Sequence, residues 1–561
     1  MNRAFIIAIL CFLCFSFLGH AKPKSTYVYK LELSGQLEEY VVKPKRFVIN
    51  INLMPQKKKI GLNDILRNIA YAKYNDKIGG IFLSDGSLKG GFAAMREIRE
   101  ALIDFKKSGK FIYAYADNFT QSNYYLASVA DKLMLNPYGS LDIKGLASTS
   151  YFYKNALEKA GVEMEVVKVG SYKSAVEPFT SMSMSDSNRE QVSVYLGSVW
   201  GTVCKEMEAS RKLKGTNINE VANQFAGLTP TATLRKQNLV DTLVFSNVAD
   251  TLILKMNPAK YKMKVLSHDR LTKMSRRMPN DKNKIAVLYL SGNIGSGKKD
   301  LNGKTIADVY QSLANNSSIK AVVVRVNSPG GSAFESEKMH HLLSMLKAKK
   351  PLVVSMSNYA ASGGYYISCM AHKIVAQPTT ITGSIGIFGI LPNAQKLMQK
   401  VGVGVDGVST HTMSDSYTGK RSMTDLERAK MQATINEGYE LFVKRCAEGR
   451  GLSVDSLKSL AQGRVWTGAD AKARGLVDEL GGLETAINEA AKLAKISTFK
   501  TISVIPKPSK GSAGFANAME EPISELIEQS THADFIQLLL NLDNMKAQDR
   551  IQARLFTEID Q

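Results

Sequence analysis

The chain has 561 residues, 44% hydrophobic and 22% charged, which excludes a disordered polypeptide and leaves room for two domains. Its formal charge is +22, from 73 Lys and Arg against 51 Asp and Glu. The lysines are scattered, with no basic helix or aromatic-basic module, so nucleic acid is not the expected partner. The excess fits a solvated basic surface, or attraction to an anionic membrane, where each well-placed cation adds about 1 kcal/mol.

The first element is a targeting segment, residues 1–21. Met1-Asn2-Arg3 gives a positive start, Ala4 to Gly19 is a 16-residue uncharged apolar run, and Gly19-His20-Ala21 supplies small residues for a signal peptidase. The run is slightly short of the ~20 residues of a span, so a cleaved signal and a retained anchor both remain open. Either way the rest of the chain is expected to be exported. Cys11 and Cys14 lie inside the run, and Cys204, Cys369 and Cys446 show no tight spacing, so no disulfide framework is implied.

Two similar halves follow, at 45–270 and 285–500. RFVININL at 46–53 and KIAVLYLS at 284–291 read as strands opening each half. Gly80–Ser84 and Ala321–Val326 read as buried strands. Glycines then lead into helical stretches at 91–107 and 333–347, and third strands follow at Phe111–Ala116 and Leu352–Ser355. This rhythm implies α/β units. Ile78 and Ile319, Gly90 and Gly331, Tyr124-Tyr125 and Tyr365-Tyr366, and Pro137 and Pro378 are each 241 residues apart, so the halves are diverged copies. Residues 271–284, basic and polar with Pro279, read as a linker. Residues 501–561 form a C-terminal extension, with helical apolar spacing over 523–557 that suggests a docking helix or oligomer contact.

At the repeat offset Ser362 falls opposite Gln121, and Lys173 opposite Ser414, so each half lacks the other's reactive residue. Ser362, in Ala361-Ser362-Gly363-Gly364, lies between a strand and an expected helix, Tyr365 to His372, which can raise a nucleophile beside a free N–H. Alone, such a serine is more often a helix N-cap. Asn327-Ser328-Pro329-Gly330-Gly331-Ser332 also joins strand to helix, and its glycine N–H groups could hold an oxyanion. None of the seven histidines is well placed as a base; His411 is the best of them, and His372 ends the same expected helix as Ser362. Lys173, in GSYKSAVEPF, is the other option: burial would bring its pKa from ~10.4 toward neutrality. A surface lysine is the bland alternative. Gly292 to Lys299 fits G-x-x-x-x-G-K, but Lys299 stands where a phosphate loop needs Ser or Thr. Asp186, Glu190 and nearby acids form no metal-ligand pattern.

Together GSYKSAVEPF (170–179), NSPGGS (327–332), ASGGYYIS (361–368), TGSIGIFG (382–389) and GLVDELGG (475–482) resemble the signal peptide peptidase A (protease IV) family in its long two-domain form, over most of residues 45–490. The resemblance implies an α/β fold of tandem duplicated Clp protease/crotonase-like domains. It implies Ser362 as nucleophile, Lys173 as general base, Ser384 as the hydroxyl orienting the lysine, and the N–H groups of Gly363 and Gly331 as oxyanion hole. It further implies no cofactor or metal, and a homotetramer on the outer, periplasmic face of the cytoplasmic membrane. Its substrates would be apolar peptides such as remnant signal peptides. The alternatives are a non-catalytic membrane scaffold and a crotonase-like acyl-CoA enzyme, whose two N–H groups would bind a thioester enolate without needing Lys173.

Overall fold

The computed structural model describes residues 27–42, 58–255, 263–276, 281–297, 299–506 and 551–554. The targeting segment, the run at 46–53 and most of the C-terminal extension lie outside them. No helix among the described residues is long and apolar enough to cross a membrane.

The first half is built on β1 (Tyr27–Glu38), β2 (Lys59–Gly61), α1 (Leu62–Tyr74), β3 (Ile78–Lys89), α2 (Phe92–Lys106), β4 (Phe111–Thr120), β5 (Lys132–Asp142), β6 (Glu163–Lys168), α3 (Asp186–Arg211), β7 (Thr242–Leu243), β8 (Lys264–Ser267) and α4 (His268–Ser275). Six strands run in the order β2-β1-β3-β4-β5-β7, β8 pairs with β1, and every pairing is parallel.

The second half repeats the plan with β9 (Lys284–Ser291), β10 (Ile319–Ser328), β11 (Gly330–Ser332), α5 (Ala333–Lys349), β12 (Leu352–Ala361), α6 (Gly363–Tyr366), β13 (Lys373–Ala376), β14 (Ile381–Gly383), β15 (Phe388–Asn393), α7 (Asp425–Arg450), β16 (Val465–Thr467), β17 (Glu479–Leu480), α8 (Leu483–Leu493) and β18 (Lys500–Val504). Its sheet runs β16-β14-β12-β10-β9-β18, parallel except where β14 meets β16. The central valines Val322, Val323 and Val324 are buried on both faces, as a helix-covered parallel sheet requires. Each half holds its own large apolar cluster.

Several expected boundaries move. The strand beside β3, in the place β9 takes in the second half, is β1, ahead of position 45. The expected linker begins late: Leu271, Thr272 and Ser275 are buried on α4, and Asn68 of α1 donates to Thr272 Oγ1 at 2.8 Å. The expected helix after Ser362 is only the four residues of α6. β18 carries the second half's sheet past residue 500, and within the span expected to be helical Ile551–Arg554 form a strand, β19.

Among the features that join the halves, two stand out. β6 leaves the first half and pairs antiparallel with β15 of the second, Phe388 opposite Lys168 and Asn393 opposite Glu163. Deeper in, Arg325 on β10 is 1% exposed and lies between two carboxylates of the first half, Glu39 (2.7 Å) and Glu97 (2.6 Å).

Candidate active site

The continuation of β6 forms the site. Beyond Lys168 the chain crosses the second half, where Tyr172 N–H donates to the Gln462 carbonyl at 3.0 Å and Gly463 N–H donates to the Ile385 carbonyl at 2.8 Å. Gly463 must lack a side chain, since a Cβ there would stand 2.7 Å from Lys173 Cβ. A polar latch holds the crossing. Arg464 donates to Tyr172 Oη (3.0 Å) and Glu190 (2.8 Å), and Gln191 donates to the Tyr172 carbonyl (3.1 Å) while accepting from Val465 N–H (3.2 Å).

This arrangement puts Lys173 at 1% exposure against the end of β12. Its Nζ is 2.8 Å from Ser362 Oγ, 3.1 Å from Ser384 Oγ and 3.1 Å from the Ser384 carbonyl. No salt-bridge partner offsets its burial among the described residues, and desolvation brings its pKa down from 10.5 to about 7. A neutral amine has two N–H donors and one lone pair. Three contacts suit that form: two N–H groups on the Ser384 oxygens, and the lone pair facing the Ser362 hydroxyl.

Ser362 occupies the N-cap position of α6, but its side chain makes no cap hydrogen bond. Its φ is +55°, a costly conformation for a non-glycine residue, and it aims the hydroxyl at Lys173. Ser362 N–H donates to the Gly383 carbonyl at 2.8 Å, tying the turn to the strand before Ser384. Gly363 is the first residue of α6, so its N–H has no acceptor within its own helix. Gly331, on β11, has φ +151°, and a Cβ there would collide with the Ile294 carbonyl oxygen at 1.8 Å.

The five sequence-predicted positions therefore divide into one contact cluster, Ser362, Lys173 and Ser384, and two glycines on the turns beside it. The histidine candidates lie elsewhere: His411 is exposed, and His372 Nδ1 accepts from Leu352 N–H at 3.1 Å. The G-x-x-x-x-G-K loop is occupied by its own acid, as Asp300 accepts from Gly297 N–H at 3.1 Å, which disfavours phosphate. Sequence reasoning missed Gly463, Arg464 and Gln191. For Gly463 and Arg464 the only signal is the short run Gln462-Gly463-Arg464-Val465-Trp466, which carries no chemistry of its own, and Gln191 is one polar residue on the long helix α3.

Comparison with known proteins agrees with this two-part construction. The profile of peptidase family S49 matches twice, at residues 104–259, which contain Lys173, and at 344–497, which contain Ser362. Protease 4 of Haemophilus influenzae is 37% identical over 453 residues, covering 78% of this chain and 73% of that protein. Protease 4 of Salmonella typhi is 38% identical over 450 residues, covering 78% and 72%. The chloroplastic serine protease SPPA of Arabidopsis thaliana is 29% identical over 459 residues, covering 80% and 68%. Matched once in each half and along most of its relatives' length, the chain belongs to peptidase family S49 in its long, two-domain form.

Proposed function

We propose that the chain is an endopeptidase using a Ser362–Lys173 dyad to degrade remnant signal peptides and other apolar peptides. The observation that carries this reading is a buried amine with no acidic partner among the described residues, placed 2.8 Å from a serine hydroxyl and lowered by burial to a pKa of about 7. Neutral Lys173 takes the proton as Ser362 Oγ attacks the peptide carbonyl. The Gly331 and Gly363 N–H groups hold the oxyanion. Lys173 then gives its proton to the leaving amine, and water, deprotonated by the same amine, releases the acyl-enzyme. A crotonase-like acyl-CoA chemistry would leave the lysine without a task, and a scaffold would not maintain an amine at this cost.

The apolar N-terminal run and the +22 charge support a place on the outer face of the cytoplasmic membrane. A homotetramer is part of the same proposal, by likeness to the family.

The test is cleavage of a fluorogenic apolar peptide by the full-length protein. Ser362→Ala lowers kcat by ~10⁴-fold or more. In the wild type, kcat/KM rises tenfold per unit as pH approaches about 7 and then levels, because only the neutral amine is active. Turnover by Ser362→Ala above a few per cent of wild type would refute the dyad. Ser384 acts through the lysine. Ser384→Ala removes one acceptor of the amine, so kcat falls about tenfold and the pH midpoint moves down, with both recovered by Ser384→Thr. An unchanged pH midpoint with full kcat would leave Ser384 without that role.

A further inference from the structure

The turn that carries Ser362 is packed on α7. Tyr366, the last residue of α6, stacks on Phe442 with ring centroids 4.3 Å apart. Three residues further on, the Cys369 carbonyl lies against Gly449, where a Cβ would stand 2.2 Å from its oxygen. Phe442, Cys446 and Gly449 are spaced i, i+4 and i+7, so they share one face of α7. Cys446 therefore falls between two points of contact, opposite Cys369. The two side chains are hydrogen-bond partners, His340 of α5 is a second partner of Cys369, and both thiols are free and fully buried.

The first half builds the same joint without cysteine. At the 241-residue offset Arg99 stands for His340, Tyr125 for Tyr366 and Ser128 for Cys369. Aligned end to end, α3 and α7, of 26 residues each, place Met207 opposite Cys446 and Ser210 opposite Gly449. There the buried Arg99 donates to Ser128 Oγ at 2.7 Å and, on α3, to the Glu206 carbonyl at 2.6 Å and to Ser210 Oγ. One guanidinium thus fastens Ser128 to α3. In the second half an imidazole, with two ring nitrogens, cannot repeat that set of bonds. In its place the joint holds a pair of sulfurs.

We propose that Cys369 and Cys446 are a dithiol site that closes to a disulfide and covalently fastens the turn bearing Ser362 to α7. The oxidant is a disulfide, of a protein or a small molecule, of the kind that exported chains meet. Burial alone would raise the Cys369 thiol, but its hydrogen bonds with Cys446 and His340 outweigh burial and lower its pKa, whereas burial raises Cys446. Cys369 is thus the attacking sulfur. Its thiolate attacks one sulfur of the oxidant, forming a mixed disulfide and releasing one oxidant thiolate. The Cys446 sulfur, on losing its proton, attacks Cys369 Sγ and releases the second. The chain gives up two protons and two electrons, and the oxidant's disulfide leaves as two thiols. Because both sulfurs are buried once the protein is folded, exchange runs before α7 docks. The site goes beyond peptide cleavage and does not depend on Ser362 being the nucleophile.

The test refolds the full-length chain from denaturant, either in a glutathione redox buffer or in excess dithiothreitol. In the first, a non-reduced tryptic map joins the peptide carrying Ser362 and Cys369 to the peptide that begins at Cys446. Closing this long loop raises Tm by about 5 °C over the dithiothreitol sample. Cys446→Val abolishes the difference between the two buffers, and Cys204→Ala keeps it. Each variant is read against itself in the two buffers, which removes the cost of the substitution from the comparison. Absence of the joined peptide from the wild type at redox equilibrium overturns the proposal. A joined peptide without a rise in Tm overturns the fastening role.

Discussion

Lys173→Met yields a protein that no longer cleaves peptides and melts at a higher temperature than the wild type. Activity falls because no other base reaches Ser362 among the described residues; the expected loss in kcat is at least ~10³-fold. The gain in stability follows from linkage. The folded-state pKa of Lys173 is lowered by burial from 10.5 to about 7, whereas the unfolded lysine keeps its ordinary value. Between those two values the unfolded chain binds more protons than the folded one, so wild-type stability rises with pH through the window from about 7 to 10.5. At pH 7, where the folded amine is already half neutral, the penalty is on the order of 4 kcal/mol, somewhat less than the full 3.5-step shift at about 1.4 kcal/mol per step. Methionine fills similar space without a charge. It leaves Ser362 and Ser384 short of one partner each, which returns about 1 kcal/mol apiece. The net gain is ~2 kcal/mol, or several degrees in Tm. Scanning calorimetry at pH 7 and pH 10 checks the sign: the advantage of Lys173→Met shrinks at the higher pH. A variant that melts below the wild type at pH 7 would mean that the lysine is not buried as an amine. Such an exchange of stability for reactivity is common at functional sites.

How far the site could be read from sequence depended on whether its signals were local. Ser362 and Lys173 lie 189 residues apart, yet the repeat exposed them, because each copy lacks the other's reactive side chain. The glycine turns were legible because a strand running into glycines has few conformational outcomes. The latch around Lys173 was not legible, since Gly463 and Gln191 matter only through contacts between the halves. β1 was overlooked for a related reason. In Tyr27–Glu38 the buried Tyr29, Leu31 and Leu33 alternate with Lys30 and Glu32, whereas the run at 46–53 offered a more continuous apolar stretch. β19 is the extreme case: four residues within a helix-like periodic span become a strand because β11 and β15 present unpaired edges on both sides. Local propensity has little weight against partners supplied by distant chain.

Arg325→Ala is expected to cost 3–5 kcal/mol, by the scale known for buried ion pairs broken on one side (about that size). Burial alone would lower the pKa of this guanidinium, but Glu39 and Glu97 outweigh burial and hold it firmly charged. Its Nη1 also donates to Ser355 Oγ at 2.9 Å, and Leu483 N–H donates to Glu97 at 2.9 Å, so the cluster ties β10, β12, α8 and the first half together. Burial raises the Glu97 pKa even with Arg325 present; removing the arginine leaves two buried carboxylates facing each other without a cation. The folded variant then holds protons that the unfolded chain releases, so its deficit is largest at neutral pH and shrinks as pH falls toward the carboxylate range. The same clamp lies under β10, which leads to Gly331, and under β12, which leads to Ser362. Loosening it separates Lys173 from Ser362, so peptide cleavage is lost at temperatures below the main unfolding transition. The triple variant Glu39→Leu, Glu97→Leu, Arg325→Met recovers most of the stability, since apolar side chains of similar volume remove the desolvation cost along with the attraction. Denaturant unfolding at pH 7 and pH 5 reads the effect. A single Arg325→Ala variant within about 1 kcal/mol of wild type at both pH values would show that the halves are held by β6 and the Tyr172 latch instead, and that the cluster is incidental to their docking.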